Sequence, residues 1–413
     1  MSKYKKFIPP HCVNLECKNV IPGFEVIVGT VLDSIDVAGL EGPKKALSGV
    51  WFKSVGTCVR KDKSLRQRFK CLSCGKTFSD ATFDMNYRFR RRGRLNARIF
   101  HAAVHSRSNR SIAREIKSSE CLVRTRLMRL FRLGIVKHGH ILDHISIGEE
   151  VAYDGLEAFA HSQYEPNNVN HVVGASSLFT YLFNFAPMNR KGRMSDRQRV
   201  YLEKIEQKQG RFDPRAIRVS TRRIFKEVVN RKSSKLSQVV IRSDEHFQYR
   251  KAMGDLEDRI RNKIIHDTVS SKAVRNFKNI LFAVNHVDLL IRKDSAAFAR
   301  ETICFAKKHS RMMHKYFLIA CYKNYMKPQF VKKQVRNLTA TTDSPAMKLE
   351  ICDKLLSFRD YFQYRNPVAD ISKLPLDWKL LYKDRVAFTR SMKYLKKDQV
   401  QSGLNLQQEK QAS

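Results

Sequence analysis

Two periods of apolar residues run through this chain, one of about two and one of about 3.6, and the chain divides where they switch. In the middle, EEVAYDGLEAF (149–159), NHVVGASS (170–177) and LFTYLFNFAP (178–187) read as three strands of one sheet, a hairpin-like trio. A fourth apolar run, Val239, Val240 and Ile241 in QVVIRSDEHF, makes a short buried strand. Between the third and fourth strands, GRMSDRQRVYLEKIEQKQG and FDPRAIRVSTRRIFKEVVNRKSS have helical spacing. The second would start with Asp213 as N-cap and Pro214 as its first helical residue. These two are expected to form an inserted helical hairpin at about 192–235 that grips a ligand beside the sheet, with an inert helical decoration as the alternative. Further on, LFAVNHVDLLIRKDSAAFARETICFAKK (281–308) reads as one helical stretch, and the tail from about Ser391 is polar and loose. The expected fold class is α/β, with a mixed-sheet domain and inserted helices over 148–350. A small cysteine-bearing domain over 1–85 and a helix-turn-helix segment over 86–147 precede it, and a helical extension with a polar tail over 351–413 follows.

Charge narrows the list of partners. Lys and Arg total 79 against 39 Asp and Glu, a formal net charge of +40 in 413 residues. Self-repulsion of that size works against compaction, so its usual use is a polyanionic partner, which for a soluble chain means nucleic acid. A solvated basic surface with no ligand is the weaker reading. No apolar stretch approaches the roughly 20 residues needed to span a bilayer. The basic start, MSKYKKFIPPHC, has no apolar segment behind it. The expectation is a cytoplasmic protein that binds double-stranded DNA, with no membrane role.

Nine cysteines in an intracellular chain point to reduced thiols or a metal rather than disulfides. Cys12 and Cys17 in HCVNLEC, with Cys71 and Cys74 in FKCLSCGKTFS, have the spacing of two ligand pairs. In the second pair Gly75 lets backbone amides approach the thiolates, and Lys70 and Lys76 favour the deprotonated sulfur. Four thiolates would close a structural Zn2+ site; Cys58 and His11 are spare candidates that rank lower. The next segment supplies the charge: thirteen Arg and one Lys between Arg88 and Arg132, against Glu115 and Glu120. Within it, SIAREIKSSECLVRTRLMRL places Ile112, Ala113 and Ile116 inside a first helix and Val123, Leu127 and Leu130 inside a second. That arrangement turns Arg124, Arg126 and Arg129 towards DNA phosphates or base edges.

Acids follow the apolar runs of the middle region. Asp154 comes just past Val151 and Tyr153, and Asp244 just past Val239–Ile241. The 281–308 stretch carries Asp288, Asp294 and Glu301. A single Asp at a strand end is more often a turn residue or a helix cap. Acids at the carboxyl ends of adjacent strands can converge, however. Two-metal phosphoryl transfer needs that convergence, because hard Mg2+ or Mn2+ ions about 3.5–4 Å apart take carboxylate oxygens. His246 and His266 flank these acids and suit either water positioning or a structural hydrogen bond.

On these motifs the chain resembles bacterial insertion-sequence transposases of the DDE class, in particular those that pair an N-terminal zinc ribbon with an RNase H-like domain. The resemblance rests on FKCLSCGKTFS, YDGLEAFAHSQYEPNNVNHVVGASS, GRMSDRQR with GRFDPRAI, IRSDEHFQY, the segment from FAVNHVDLLIRKD through RETICFAKK to NYMKP, and TDSPAM, covering roughly 10–350 in order. It implies strand cleavage and strand transfer at element ends, a homo-oligomer on DNA, and Asp154 and Asp244 as the first two metal-binding acids. Many relatives carry Glu at the third position, and none stands at the start of this helix. On one helix Asp288 and Glu301 would lie roughly 20 Å apart and could not share a site. Asp288, nearest the preceding strand, is the choice, with Asp294 and Glu301 as alternatives. A DNA-binding protein of the same fold without activity, or a nuclease that cuts without joining, would carry many of the same features.

Overall fold

In the computed structural model of the protein the period-two stretches are strands and most of the period-3.6 stretches are helices; residues 8–20, 51–59, 65–88, 93–299, 302, 304–329, 343–367 and 370–395 are described. The fold is mixed α/β, built as two compact units. The first takes Met1–Ala103, Arg107–Ile145 and Cys321–Leu374; the second takes Val104–Ser106, Ser146–Ala320 and Pro375–Ser413. Residues 321–350 therefore group with the first unit rather than with the sheet-bearing segment before them.

The first unit opens with a three-stranded antiparallel sheet of β1 (Phe52–Val59), β2 (Leu65–Cys71) and β3 (Thr77–Ser79). Phe69 pairs with Phe78 across β2 and β3, and together with Trp51 and Phe83 they pack a small core around Cys12, Cys17 and Cys71. Helices α1 (Asn96–Val104), α2 (Asn109–Glu115) and α3 (Glu120–His144) come next. Ser108 and Ser119 cap α2 and α3, each hydroxyl accepting from a backbone N–H at 3.2 Å. Lys117 takes the left-handed conformation (φ 49°) in the turn between them, the place a glycine usually fills. Ile99, Ala103, Ile112, Ala113, Ile116 and Val123 form the core of this helical trio. Helix α3 continues well past the Arg-rich segment, and its second half is buried. There Tyr361 donates to the Gly134 carbonyl at 3.1 Å, and Lys137 donates to the Tyr361 carbonyl at 2.8 Å.

The second unit is built on a five-stranded mixed sheet: β4 (Val151–Phe159), β5 (Pro166–Gly174), β6 (Thr180–Pro187), β7 (Val239–Asp244) and β8 (Ile264–Val269). Its order is β6-β5-β4-β7-β8; the first three strands form an antiparallel meander, while β7 and β8 run parallel to β4. Helices α4 (Asp196–Gln209) and α5 (Ala216–Asn230) connect β6 to β7, and α6 (Phe247–Gly254) and α7 (Asp258–Arg261) connect β7 to β8. Helices α8 (Phe282–Asp294) and α9 (His309–Tyr325) follow. Every residue of β5 and β6 is buried, so their polar side chains must find partners inside. Neighbouring residues of a strand point to opposite faces. On β5, Asn170 bonds Ser220 of α5 at 2.8 Å, while His171 meets Asp288 of α8 and Tyr316 of α9. Helices thus cover both faces of the sheet.

The 192–235 segment forms α4 and α5 between the third and fourth strands of the sheet; α5 lays Thr221, Ile224, Phe225 and Val228 on the sheet, and only α4 is largely exposed. Two expectations change at this level. Asp213 is not the N-cap of α5. Its carboxylate accepts from Arg215 N–H at 2.8 Å and closes a turn ahead of a helix that starts at Ala216. The 281–308 stretch, finally, is not one helix. It stops at Asp294, because Ser295 is extended (φ −155°, ψ 112°) and the Ala296 N–H donates to Ser106 Oγ at 3.0 Å rather than to the preceding turn. The tail beyond residue 395 lies outside the described residues.

Candidate metal centres

Cys12 and Cys17 lie on a tight turn that closes through Cys12 N–H to Asn19 O at 2.9 Å and Cys17 N–H to Asn14 O at 3.1 Å. Cys71 ends β2, and Cys74 lies in the turn to β3, which Gly75 makes possible by adopting φ 71°. The two turns bring all four Sγ atoms within 4.8 Å of one another, with Cys12–Cys74 and Cys17–Cys71 each at 3.6 Å. Tetrahedral thiolates around a zinc ion stand about 3.8 Å apart. Burial pushes the Cys12 and Cys17 thiols up. Burial also works on Cys71, but the Cys74 N–H, the Asn19 amide and the Ser73 N–H outweigh it and bring this thiol down to about 6. The Lys76 N–H lowers Cys74 in the same way. This cluster can hold a metal ion, and its electropositive rim comes from backbone amides more than from the flanking lysines. Cys58 is exposed on β1. His11 is buried edge-on against Phe83, with Nδ1 at 2.7 Å from the Cys12 carbonyl, so it supports the turn from outside the thiol cluster.

The acids assemble in the second unit. Asp154 sits in the middle of β4 rather than at its end, because GLEAF prolongs the strand to Phe159. The parallel register pairs Val151 with Ile241 and Ala152 with Arg242; the same offset carries Asp154 to Asp244, the last residue of β7. Across the antiparallel pair, Asp154 stands opposite His171. Asp288 comes from α8, which buries Ala283, Val284, Val287 and Ile291 against the sheet and brings Oδ1 to 2.9 Å from His171 Nε2. His171 Nδ1 stands 2.6 Å from the Tyr316 hydroxyl. Burial, then the charges of Asp288 and Asp244, push the Asp154 carboxyl up to about 7, against the pull of the Gly155 N–H and of Arg275. Among the described residues none of the three acids pairs with a Lys or Arg. Asp154, Asp244 and Asp288 therefore share one region of the second unit with little cationic compensation, while among the described residues the groups whose ligand atoms all lie within 4.8 Å of one another are the four cysteines and His161, Glu165 and His309.

Asp294 does not join these three acids. It ends α8, about 9 Å further along the helix axis than Asp288. Glu301 lies outside the described residues, and the chain between it and α8 is not helical at Ser295. His246 caps α6, its Nδ1 accepting from the Gln248 backbone N–H at 3.3 Å, while its backbone N–H donates to Asp244 Oδ1 at 3.0 Å. On β8, His266 Nε2 stands 2.8 Å from Ser243 Oγ. Both histidines have structural partners in the strand-end architecture. Comparison with protein-family models and with curated proteins finds no match for this chain.

The arginines of α3 divide. Arg124 is exposed. Arg126 is 5% exposed, on the same face as Val123 and Leu130, and burial lowers its pKa. It points into the unit rather than towards solvent, contrary to expectation. The reason is the helical period: from Val123, positions i+3 and i+7 share a face, so the inner stripe runs through Arg126 and not only through Leu127. Arg129 is half-buried and donates to the Tyr87 carbonyl at 3.3 Å. Sequence reasoning also missed His171 and Tyr316. The cross-strand register that sets His171 opposite Asp154 would have found the first; nothing local to α9 marks the second. A third ligand cluster, His161, Glu165 and His309, likewise went unread. Among the described residues no helix is long and apolar enough to cross a membrane.

Proposed function

We propose that this protein is a DNA transposase of the DDE type, with an RNase H-like catalytic unit and a zinc-bearing, Arg-rich DNA-binding front end. The observation that carries the reading is the placement of Asp154, Asp244 and Asp288 on two adjacent parallel strands and the helix packed on them, near enough for Asp288 and Asp244 to raise the Asp154 carboxyl. The sheet order supports it: three antiparallel strands in sequence, then two strands added parallel to the first on its other side, with helices on both faces. The net charge of +40 and the exposed Arg124 on α3 supply a surface for the phosphate backbone.

In this reading Asp154, Asp244 and Asp288 hold two Mg2+ or Mn2+ ions, and the four cysteines hold one structural Zn2+. The divalent ions, when bound, would activate the attacking water or 3′-hydroxyl and stabilise the leaving oxygen. The chain's own work is to hold the three carboxylates in place before DNA arrives. β4 and β7 fix two of them through backbone pairing, and α8 fixes the third through its apolar face and His171. The buried phenol of Tyr316 keeps its proton, since burial and Asp288 both raise its pKa. It therefore donates to His171 Nδ1, which leaves Nε2–H facing Asp288 Oδ1 and the second Asp288 oxygen for the metal.

The test is strand cleavage and strand transfer on the element's own terminal DNA, with each acid changed to its amide. Asp→Asn keeps size and polarity and removes the charge that binds the cation. Asp154→Asn, Asp244→Asn and Asp288→Asn should each lose about a thousandfold or more in rate while DNA binding and circular dichroism stay unchanged. Full activity in Asp154→Asn or Asp244→Asn would remove the mechanism. Full activity in Asp288→Asn with loss in Glu301→Gln would move the third ligand. Cleavage without transfer in the unmodified protein would make it a nuclease.

A further inference from the structure

We infer that His161, Glu165 and His309 form a second transition-metal site, of the zinc class, separate from the thiol and carboxylate clusters and independent of the function proposed above. His161 and Glu165 lie on the turn after β4, and His309 opens α9. Ala160 N–H to Glu165 O at 3.1 Å and Glu165 N–H to Ser162 O at 3.2 Å close that turn. A parallel bridge between Ala160 and Ala306, with His161 N–H to Ala306 O at 2.7 Å, brings the segment ahead of α9 against it. His161 is held there at φ 60°, a conformation that costs a non-glycine residue about 1 kcal/mol or more and that the surrounding bonds must impose.

The side chains converge on one atom. His309 Nε2 is 3.2 Å and His161 Nε2 is 4.0 Å from Glu165 Oε2, and the three ligand atoms all lie within 4.8 Å of one another. The other carboxylate oxygen, Oε1, is taken by Arg390 Nε at 3.3 Å. Arg390 is fixed in turn by its bond to the Gly210 carbonyl at 3.0 Å, its place over the Phe212 ring and the antiparallel bridge between Arg211 and Ser391. The guanidinium thus orients the carboxylate from outside and leaves Oε2 to the imidazoles, the outer-shell arrangement that metal-binding carboxylates use. His309 packs against Phe185 and Phe212, and its Nε2 is buried with no aligned hydrogen bond. An imidazole lone pair 3.2 Å from a carboxylate oxygen is repulsive unless a proton or a cation lies between them. Two nitrogens and one oxygen suit Zn2+, whereas Mg2+ and Ca2+ prefer oxygen alone. Tetrahedral Zn2+ would space these donors about 3.4 Å apart, which His161, about half exposed, can reach with a small side-chain movement. Its exposure also leaves the fourth position open to water. The site is not the carboxylate centre, since five residues of extended strand, about 16 Å, separate Asp154 from Phe159 ahead of the turn.

The experiment is a metal count on the full chain, stripped of metal and reloaded with Zn2+, with Co2+ absorption in parallel to separate the two zinc-class sites. His161→Asn removes one ligand at an exposed position and keeps a residue that tolerates the left-handed backbone; Glu165→Gln is the second variant. Each should bind one equivalent of Zn2+ less than the unmodified chain. The thiolate-to-cobalt charge-transfer band should stay undiminished, while the weaker visible bands of the nitrogen–oxygen site disappear. Equal Zn2+ content in the unmodified chain and in folded His161→Asn would overturn the proposal and leave Glu165 as an ion-pair clamp between His309 and Arg390.

Discussion

His171 is fully buried between a phenol and a carboxylate, and it makes no contact that its own strand requires. A buried imidazole of this kind is held by its hydrogen bond with the Tyr316 hydroxyl at one ring nitrogen and by its 2.9 Å contact with Asp288 at the other. If those contacts orient Asp288 for a cation, removing the ring should weaken metal use more than it weakens folding. His171→Ala should raise the Mg2+ concentration for half-maximal strand transfer by about 10- to 100-fold, with DNA affinity unchanged. His171→Gln, which keeps one donor near the Nε2 position, should recover part of that. An unchanged Mg2+ requirement in folded His171→Ala would show that α8 alone positions the acid. His161 and Glu165 make the same point by contrast. Neither stands out in HSQYEPNNVN, and only a turn and a helix start some 140 residues later in the chain bring His309 to them.

Among the elements, α3 combines two roles that a shorter helix would keep apart. Its first turns carry the Arg-rich stripe and its last turns are buried between Gly134 and Leu142. Along such a helix every third or fourth residue is committed to packing, whatever its charge. Arg126→Ala should therefore lower stability by about 1–3 kcal/mol through lost packing of the side-chain stem and leave the salt dependence of DNA binding nearly unchanged. Arg124→Ala should leave stability within about 0.5 kcal/mol and make the slope of log affinity against log salt shallower by about 0.9. Thermal melting beside a salt titration of DNA affinity measures both. The reverse result, a shallower slope for Arg126→Ala only, would mean that α3 rotates on binding. At α8 it is the termination of the element that matters. Because the helix ends at Asp294, no distance measured along it reaches Glu301, and Glu301→Gln tests the third ligand by substitution rather than by geometry.

For the molecule as a whole, charge and metal set the conditions of stability. A small sheet of three short strands, with a core of four large aromatics, buries too little apolar surface to be robust without a staple. In the proposed reading a Zn2+ ion held by the four thiols provides one. Cys71→Ser should remove one equivalent of Zn2+, and either that change or chelation should speed amide exchange at Phe69 and Cys71 in β2 by at least tenfold. Exchange that is identical with and without the metal would mean that the aromatic core suffices. With a net charge of +40, DNA affinity should also fall steeply as salt rises.

By itself the sequence determined the quantities that are local or additive: the charge, the cysteine spacing, the strands at EEVAYDGLEAF and its neighbours, and Asp154, Asp244 and Asp288 as acids beside apolar runs. Those follow from period, composition and side-chain chemistry within a few residues. What only the tertiary structure decided is which side chains share a place. The offset between β4 and β7 sets Asp154 beside Asp244, and the antiparallel register sets His171 opposite Asp154. The break at Ser295 ends the helix that carries Asp288, and packing on β5 and β6 makes α5 part of the core. The two patterns are indistinguishable in a helical wheel. An apolar face shows that a helix is covered, and only the register of the sheet and the fold of the chain show by what.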